Sequence, residues 1–180
     1  MTIKIFGDKK IQIRELSKND LRNVKKFQDF INSLIEEEAK IMLNKKLSLR
    51  EERKWLDEQL GNIKNKKTVF LVAEDKNMVI GTAGINLGVG RQSHIGNFGI
   101  TIRKNYRGRG LGSCLTKEVI KLAKKELKPK PKIIRLSVFP TNKPGIGLYK
   151  KFGFKKVAKI PKQIQYKGKF IDEIIMILYL

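Results

Sequence analysis

The segment Tyr106-Arg107-Gly108-Arg109-Gly110-Leu111-Gly112-Ser113 narrows the fold more than any other part of the chain. It follows a β-rich stretch and precedes apolar residues at Leu111, Leu115, Val119, Leu122 and Leu127, the spacing of a long amphipathic helix. A strand that turns into a helix through spaced glycines presents several backbone N–H groups to one point, where the helix dipole also favours negative charge. A Cβ there would hold a phosphate off the amides or forbid the backbone angles. The segment therefore predicts a phosphate cradle. It is not a Walker A loop, because no Gly-Lys-Ser/Thr follows. Nor is it the dinucleotide fingerprint, since the third glycine of GxGxxG falls at Ser113 and no acidic residue follows at the right distance.

The rest of the chain supplies the context. Ile11 and Ile13 alternate with polar residues as in a strand, and Ser17 with Asp20 caps an amphipathic helix marked by Leu21, Val24, Phe27 and Ile31. Residues 47–60 predict a second helix, with Ser48 and Glu51 as capping box and Gly61 as terminator. VFLVAED and MVIGTAGINL flank the turn Lys76-Asn77 and predict a hairpin over residues 69–87. A third strand follows at His94–Arg103, then the long helix stopped by KPKPK, a buried strand at 133–139, a short helix at 144–152 and a terminal strand at 170–180. The order predicts an α/β (α+β) fold: a mixed, mostly antiparallel central sheet with helices on both faces.

Nothing separates domains, so residues 1–180 read as one domain with a sizeable core, 41% of positions being hydrophobic. Cys114 is the only cysteine, which excludes a disulfide framework and any zinc site built on several thiolates, and makes the cytoplasm the default compartment. No apolar run approaches the ~20 residues of a membrane span, and the N-terminus lacks the signature of a signal peptide. The formal charge is +23, and it is unevenly placed. Residues 1–75 hold 17 Lys+Arg against 13 Asp+Glu, and residues 76–180 hold 23 against 4. Such a field attracts polyanions without specifying one, and a solvated, Lys-rich surface is the plain alternative.

Arg107-Gly108-Arg109-Gly110-Leu111-Gly112 resembles the Arg/Gln-x-x-Gly-x-Gly/Ala segment of the GCN5-related N-acetyltransferases (GNAT), where it wraps the pyrophosphate of acetyl-coenzyme A. Downstream, Leu136-Ser137-Val138, Asn142 and Leu148-Tyr149-Lys150-Lys151-Phe152-Gly153-Phe154 are similar to that family's strand, Asn and Tyr-bearing helix ending in Gly-Phe. The resemblance is strong over residues 69–158. It implies acetyl-CoA as cofactor, coenzyme A as product and no metal. It further implies that the backbone of Ile100, Thr101 and Ile102 pairs with the pantetheine arm where the strand splays from its neighbour. The amides of Arg107 to Ser113, including Gly108, Arg109, Gly110, Leu111 and Gly112, bind the pyrophosphate, with charge from Arg107 and Arg109. Asn142 contacts the arm, and the Tyr149 hydroxyl protonates the departing thiolate. Taken without the family, Asn142 is a helix cap and Tyr149 a core aromatic.

Two features depart from the family pattern. Gly145 and Gly147 stand in a short helix where Ala-like residues are more usual, and the third strand lacks the Glu that often serves as base. An alkylammonium has a pKa of ~10.4, so a proton must leave before nitrogen attacks. His94, the only imidazole, is one candidate base, and water is the other. Cys114 sits where packing is expected rather than acyl transfer. Glu36-Glu37-Glu38, Glu51-Glu52 and Asp57-Glu58 lie where the family walls its acceptor site; they suit a cationic amine, or are solvated faces paired with Lys40, Lys45 and Lys54. The expected activity is acetyl transfer to a primary amine: a protein N-terminus, a lysine, a polyamine or a small amino compound. The alternative is a basic RNA- or ribosome-associated module without catalysis. A homodimer and a polyanion contact through the basic surface are compatible with both.

Overall fold

The computed structural model describes residues 2–180. The strands are β1 (Thr2–Phe6), β2 (Lys9–Glu15), β3 (Thr68–Asp75), β4 (Met78–Leu87), β5 (Ile95–Ile102), β6 (Ile133–Val138), β7 (Lys155–Tyr166) and β8 (Lys169–Tyr179), and the helices are α1 (Val24–Glu36), α2 (Leu49–Lys64), α3 (Leu111–Glu126) and α4 (Lys143–Lys151). Among the described residues the strands form one eight-stranded sheet in the order β1-β2-β3-β4-β5-β6-β8-β7. Only β5 and β6 run parallel. This is the mixed, mostly antiparallel sheet that the sequence predicts.

Strand β3, TVFLVAED, is buried along its whole length, which requires cover on both faces. Alternation sorts its side chains: Val69, Leu71 and Ala73 join the core under α3, and Phe70 and Val72 join the core under α1 and α2. Helix α3 turns Leu111, Leu115, Val119 and Ala123 inward, and each large apolar side chain so buried contributes about 1.5–3 kcal/mol. Arg14 of β2 forks to Asp20 (2.6 and 2.8 Å) and to Glu74 of β3 (2.7 and 3.0 Å), pinning the chain ahead of α1 to the sheet.

Three details differ from the sequence reading. Ser17 and Asp20 open a short 3-10 helix at Lys18–Arg22, and α1 begins only at Val24. Helix α2 runs through Gly61 to Lys64, because an exposed glycine with nothing nearby weakens a helix without stopping it. Strands β1 and β7 are additional, both at sheet edges.

Candidate active site

Strand β5 is hydrogen-bonded to β4 along its length, from Leu87↔Gly96 to Gly81↔Ile102. On its other side it meets β6 only at Ile95, Gly96 and Asn97. From Phe98 onward that edge has no partner strand, and the sheet parts. Ile100 and Ile102 face the α3 side of the gap, whereas Thr101 turns the other way and shares a hydrogen bond with Thr82 (2.9 Å).

A cleft of about 440 Å³ opens over this gap, within the size range of small-molecule sites. It brings together Ile100, Ile102, Arg107, Gly108, Gly110, Gly112, Ser113, Asn142 and Tyr149. At its mouth the glycine-rich turn carries Gly108 at φ +74° and Gly110 at φ +89°, a region that favours glycine. Cys114 N–H makes the first helical bond, to Gly110 O (3.0 Å). Among the described residues no acceptor takes the amides of Gly108 to Ser113, so they converge, unpaired, at a helix N-terminus. These residues fit a phosphate-bearing ligand.

The far wall is α4. Asn142 caps it, its Oδ1 accepting from Gly145 N–H at 3.1 Å. The unusual glycine explains itself: a Cβ on Gly145 would lie 2.7 Å from Asn142 Nδ2. Tyr149 packs edge-on against Phe98, ring centroids 6.0 Å apart, and its hydroxyl has no hydrogen-bond partner among the described residues. Burial pushes its pKa up to about 12, so the phenol keeps its proton throughout the neutral range.

Leu111 sends its side chain into the core while its amide, the group expected to bind, stays in the loop. Other expected residues lie elsewhere. Arg109 turns away from the cleft and donates to Asp8 in the β1–β2 turn (2.9 Å); its charge is already engaged. Arg107 stays at the cleft, but its guanidinium pairs with Glu37 and donates to Ile102 O. His94 precedes β5, about 13 Å of strand before Phe98, and its carbonyl accepts from Lys132 N–H (2.8 Å); it does not line the cleft. Cys114 Sγ lies 3.3 Å from Lys4 Nζ, against β1. The acidic trio is neutralised: Glu36 pairs with Lys46, Glu37 with Arg107 and Glu38 with Lys167, not with Lys40, Lys45 or Lys54. Lys40 instead donates to Thr141 O (2.7 Å).

A second cavity, about 480 Å³, lies between the α1–α2 connection and the β7–β8 hairpin, with Ile35, Ile41, Met42, Leu43, Ile164 and Tyr166 in its walls. Tyr166 stacks edge-on against Phe139 (5.4 Å) at the end of β6 and donates to Glu38 O (2.8 Å). Sequence patterning missed this cavity, because one side of it is formed by the end of the unforeseen strand β7 and the turn after it.

The arrangement defines a class first: a mixed sheet parted at its one parallel pair, with an amide-rich loop at the mouth of the gap and a tyrosine inside it. Residues 31–154 match the acetyltransferase (GNAT) family, and the chain belongs to it. It is 34% identical over 82 residues to the L-amino acid N-acetyltransferase AaaT of Escherichia coli (strain K12), a match spanning 46% of this chain and about half, 49%, of that protein. An acetyltransferase of the GNAT family from Streptococcus pneumoniae superposes with a TM-score of 0.81 at 25% identity, covering 94% of this chain and 99% of that one. The ribosomal-protein-alanine N-acetyltransferase of Brucella melitensis shares the fold, with a TM-score of 0.79 at 23% identity over 94% and 99% of the two chains.

Proposed function

We propose that this chain is an acetyl-CoA-dependent N-acetyltransferase that transfers the acetyl group directly to the amine of a small compound with an apolar side chain. One observation carries the reading: unpaired amides at a helix N-terminus and a protonated tyrosine face the same cleft, at the point where β5 parts from β6. Amides of Gly108 to Ser113 hold the pyrophosphate, with Arg107 beside them. The backbone of Ile100 to Ile102 lies along the pantetheine arm, and Asn142 Nδ2 is available to donate to it. Acetyl-CoA supplies an activated thioester carbonyl. Tyr149 Oη holds a proton for the leaving sulfur. Water accepts the proton of the incoming ammonium, since His94 lies outside the cleft.

The acceptor side chain occupies the cavity between the α1–α2 connection and the β7–β8 hairpin, where Ile35, Ile41, Met42, Leu43 and Ile164 supply apolar wall among polar residues that include Asn44, Gln163 and Gln165. Its one wall carboxylate, Glu38, is already paired with Lys167, which disfavours polyamines and lysine-rich peptides. Similarity to an L-amino acid N-acetyltransferase agrees with this choice. The test is thiol release from acetyl-CoA with leucine, methionine, phenylalanine, spermidine and a lysine-rich peptide. Release with the apolar amino acids supports the reading; preference for spermidine overturns the acceptor assignment, and no release with any amine overturns the activity.

A further inference from the structure

Beyond acetyl transfer, we infer that the end of the sheet opposite the cofactor cleft is a binding surface for single-stranded RNA. Three loops meet there. Lys128 N–H donates to Lys66 O (2.9 Å) and Lys67 Nζ to Lys128 O (2.9 Å), joining the chain after α2 to the chain after α3. Leu87 N–H donates to Lys67 O (2.8 Å), and Lys132 N–H to His94 O (2.8 Å), which brings in the β4–β5 connection. Residues 64–67, 88–94 and 124–132 carry nine cations, Lys64, Lys66, Lys67, Arg91, Lys124, Lys125, Lys128, Lys130 and Lys132, against the single acid Glu126. All nine are exposed. Among the described residues only Lys125 of these has a carboxylate partner, Glu126 at 3.2 Å.

These charges do not serve the cofactor. Helix α3 begins at the phosphate loop and ends in this surface, and its 16 residues span about 24 Å, more than two Debye lengths at ~0.1 M salt. They are not needed to balance acids within the fold either, since eight of the nine have no acidic partner within 4.0 Å. Packing like charges this closely raises the energy of the folded state, a cost offset when a polyanion's phosphates enter and release their counterions.

RNA fits better than an anionic bilayer. A bilayer needs an amphipathic element to insert, whereas here the cations are spread over three connections and the last turns of α2 and α3, with Val89 as the exposed large apolar residue of those segments. Beside them, Leu180 N–H donates to Lys132 O (3.0 Å), which brings the end of β8, with the exposed Tyr179 (69%), to the same end of the sheet. A cationic surface with a free aromatic ring is the arrangement that tracks a phosphate backbone and stacks a base.

The experiment is fluorescence anisotropy of the full chain with a labelled single-stranded RNA 20-mer, titrated with salt. The quadruple variant Lys64→Gln, Lys66→Gln, Lys124→Gln, Lys130→Gln is compared with an equal charge loss on the β7–β8 edge, Lys155→Gln, Lys156→Gln, Lys159→Gln, Lys169→Gln. Wild type is expected to bind with a steep negative salt slope. The first variant should bind more than about tenfold more weakly, with a slope flattened by up to roughly 3, at ~0.7 per lost phosphate contact; the control should keep both. Thermal melts establish that each variant is folded, and coenzyme A affinity, measured in parallel, separates this proposal from the enzymatic one. Equal loss in the two variants, no RNA binding by wild type, or binding only to phosphatidylserine vesicles each overturns it.

Discussion

Tyr149 is the residue at which a structural and a chemical role part most cleanly. Its ring fills space against Phe98 and Phe154, but its hydroxyl contributes no hydrogen bond to the fold. Tyr149→Phe keeps the ring and removes one oxygen, so Tm is expected to change little. As the sulfur's acid its loss should lower kcat by about 100-fold or more with KM for acetyl-CoA little changed. Wild-type kcat in the folded variant would hand the proton to water. Because burial raises this pKa to about 12, the wild-type enzyme should show no loss of the acid below pH ~10; an activity limb falling near pH 8 would have to come from another group. At the mouth of the cleft Gly110 tests the proposed binding role of the loop rather than turnover. Gly110→Asp places a carboxylate in the loop proposed to hold the pyrophosphate, and like charges in contact cost several kcal/mol, so coenzyme A affinity should fall more than about 100-fold. Calorimetry with a folded variant checks it; unchanged affinity removes the loop from the site. Both residues stand out in the sequence because the motif names them. His94 stands out there too, as the one imidazole near the expected place, yet nothing in one dimension shows that four residues of strand carry it out of reach of the cleft.

Among the elements, legibility follows burial. The β3–β4 hairpin, α3 and the paired α1 and α2 are plain in the sequence because each buries a continuous apolar face. Strand β7, KKVAKIPKQIQY, buries only Ile164 and carries Pro161 and four lysines, so no period announces it; it is held by its pairing with β8. Strand β1 alternates, but its inward positions are Lys4 and Phe6 while Ile3 and Ile5 face solvent, the reverse of what the apolar pattern suggests. Glu52 is the equivalent surprise within α2. Its sequence context reads as a solvated helix face, yet only 4% of it is exposed and no hydrogen bond or ion pair compensates it among the described residues. Desolvation raises its pKa from 4.5 to about 7. The folded state therefore binds this proton more tightly than the unfolded chain, and the stability it confers is present below pH 4.5 and lost as pH rises through 7. Glu52→Gln should leave stability almost unchanged at pH 4.5 and raise it at pH 8 by on the order of 3 kcal/mol, seen as a higher Tm. A variant whose stability tracks wild type at both pH values would show the carboxylate to be solvated after all.

For the whole molecule, net charge is legible from the sequence but its placement is not. The excess of cations after residue 75 invites assignment to the cofactor's phosphates, since the glycine loop lies in the same half of the chain. Folding separates the two. Strand β5 and helix α3 run from one end of the sheet to the other, so the loop and the lysines after α3 sit at opposite poles, about 24 Å apart along the helix. Near the loop itself Arg107 is paired with Glu37 and Arg109 with Asp8, so the local field is weaker than the sequence implies. Distance and screening together make a prediction about ionic strength. At ~0.15 M salt the Debye length is ~8 Å, and the distal lysines are screened from the cleft; at ~0.01 M it is ~30 Å, and they are not. Replacing Lys64, Lys66, Lys124 and Lys130 by Gln should therefore leave KM for acetyl-CoA within about twofold at the higher salt and raise it only at the lower. Arg107→Ala, at the cleft, should raise KM under both conditions. Steady-state kinetics at the two ionic strengths decides the matter: a KM that rises equally at both in the lysine variant would mean that those side chains reach the cofactor, and that the two poles are closer in solution than the length of α3 allows.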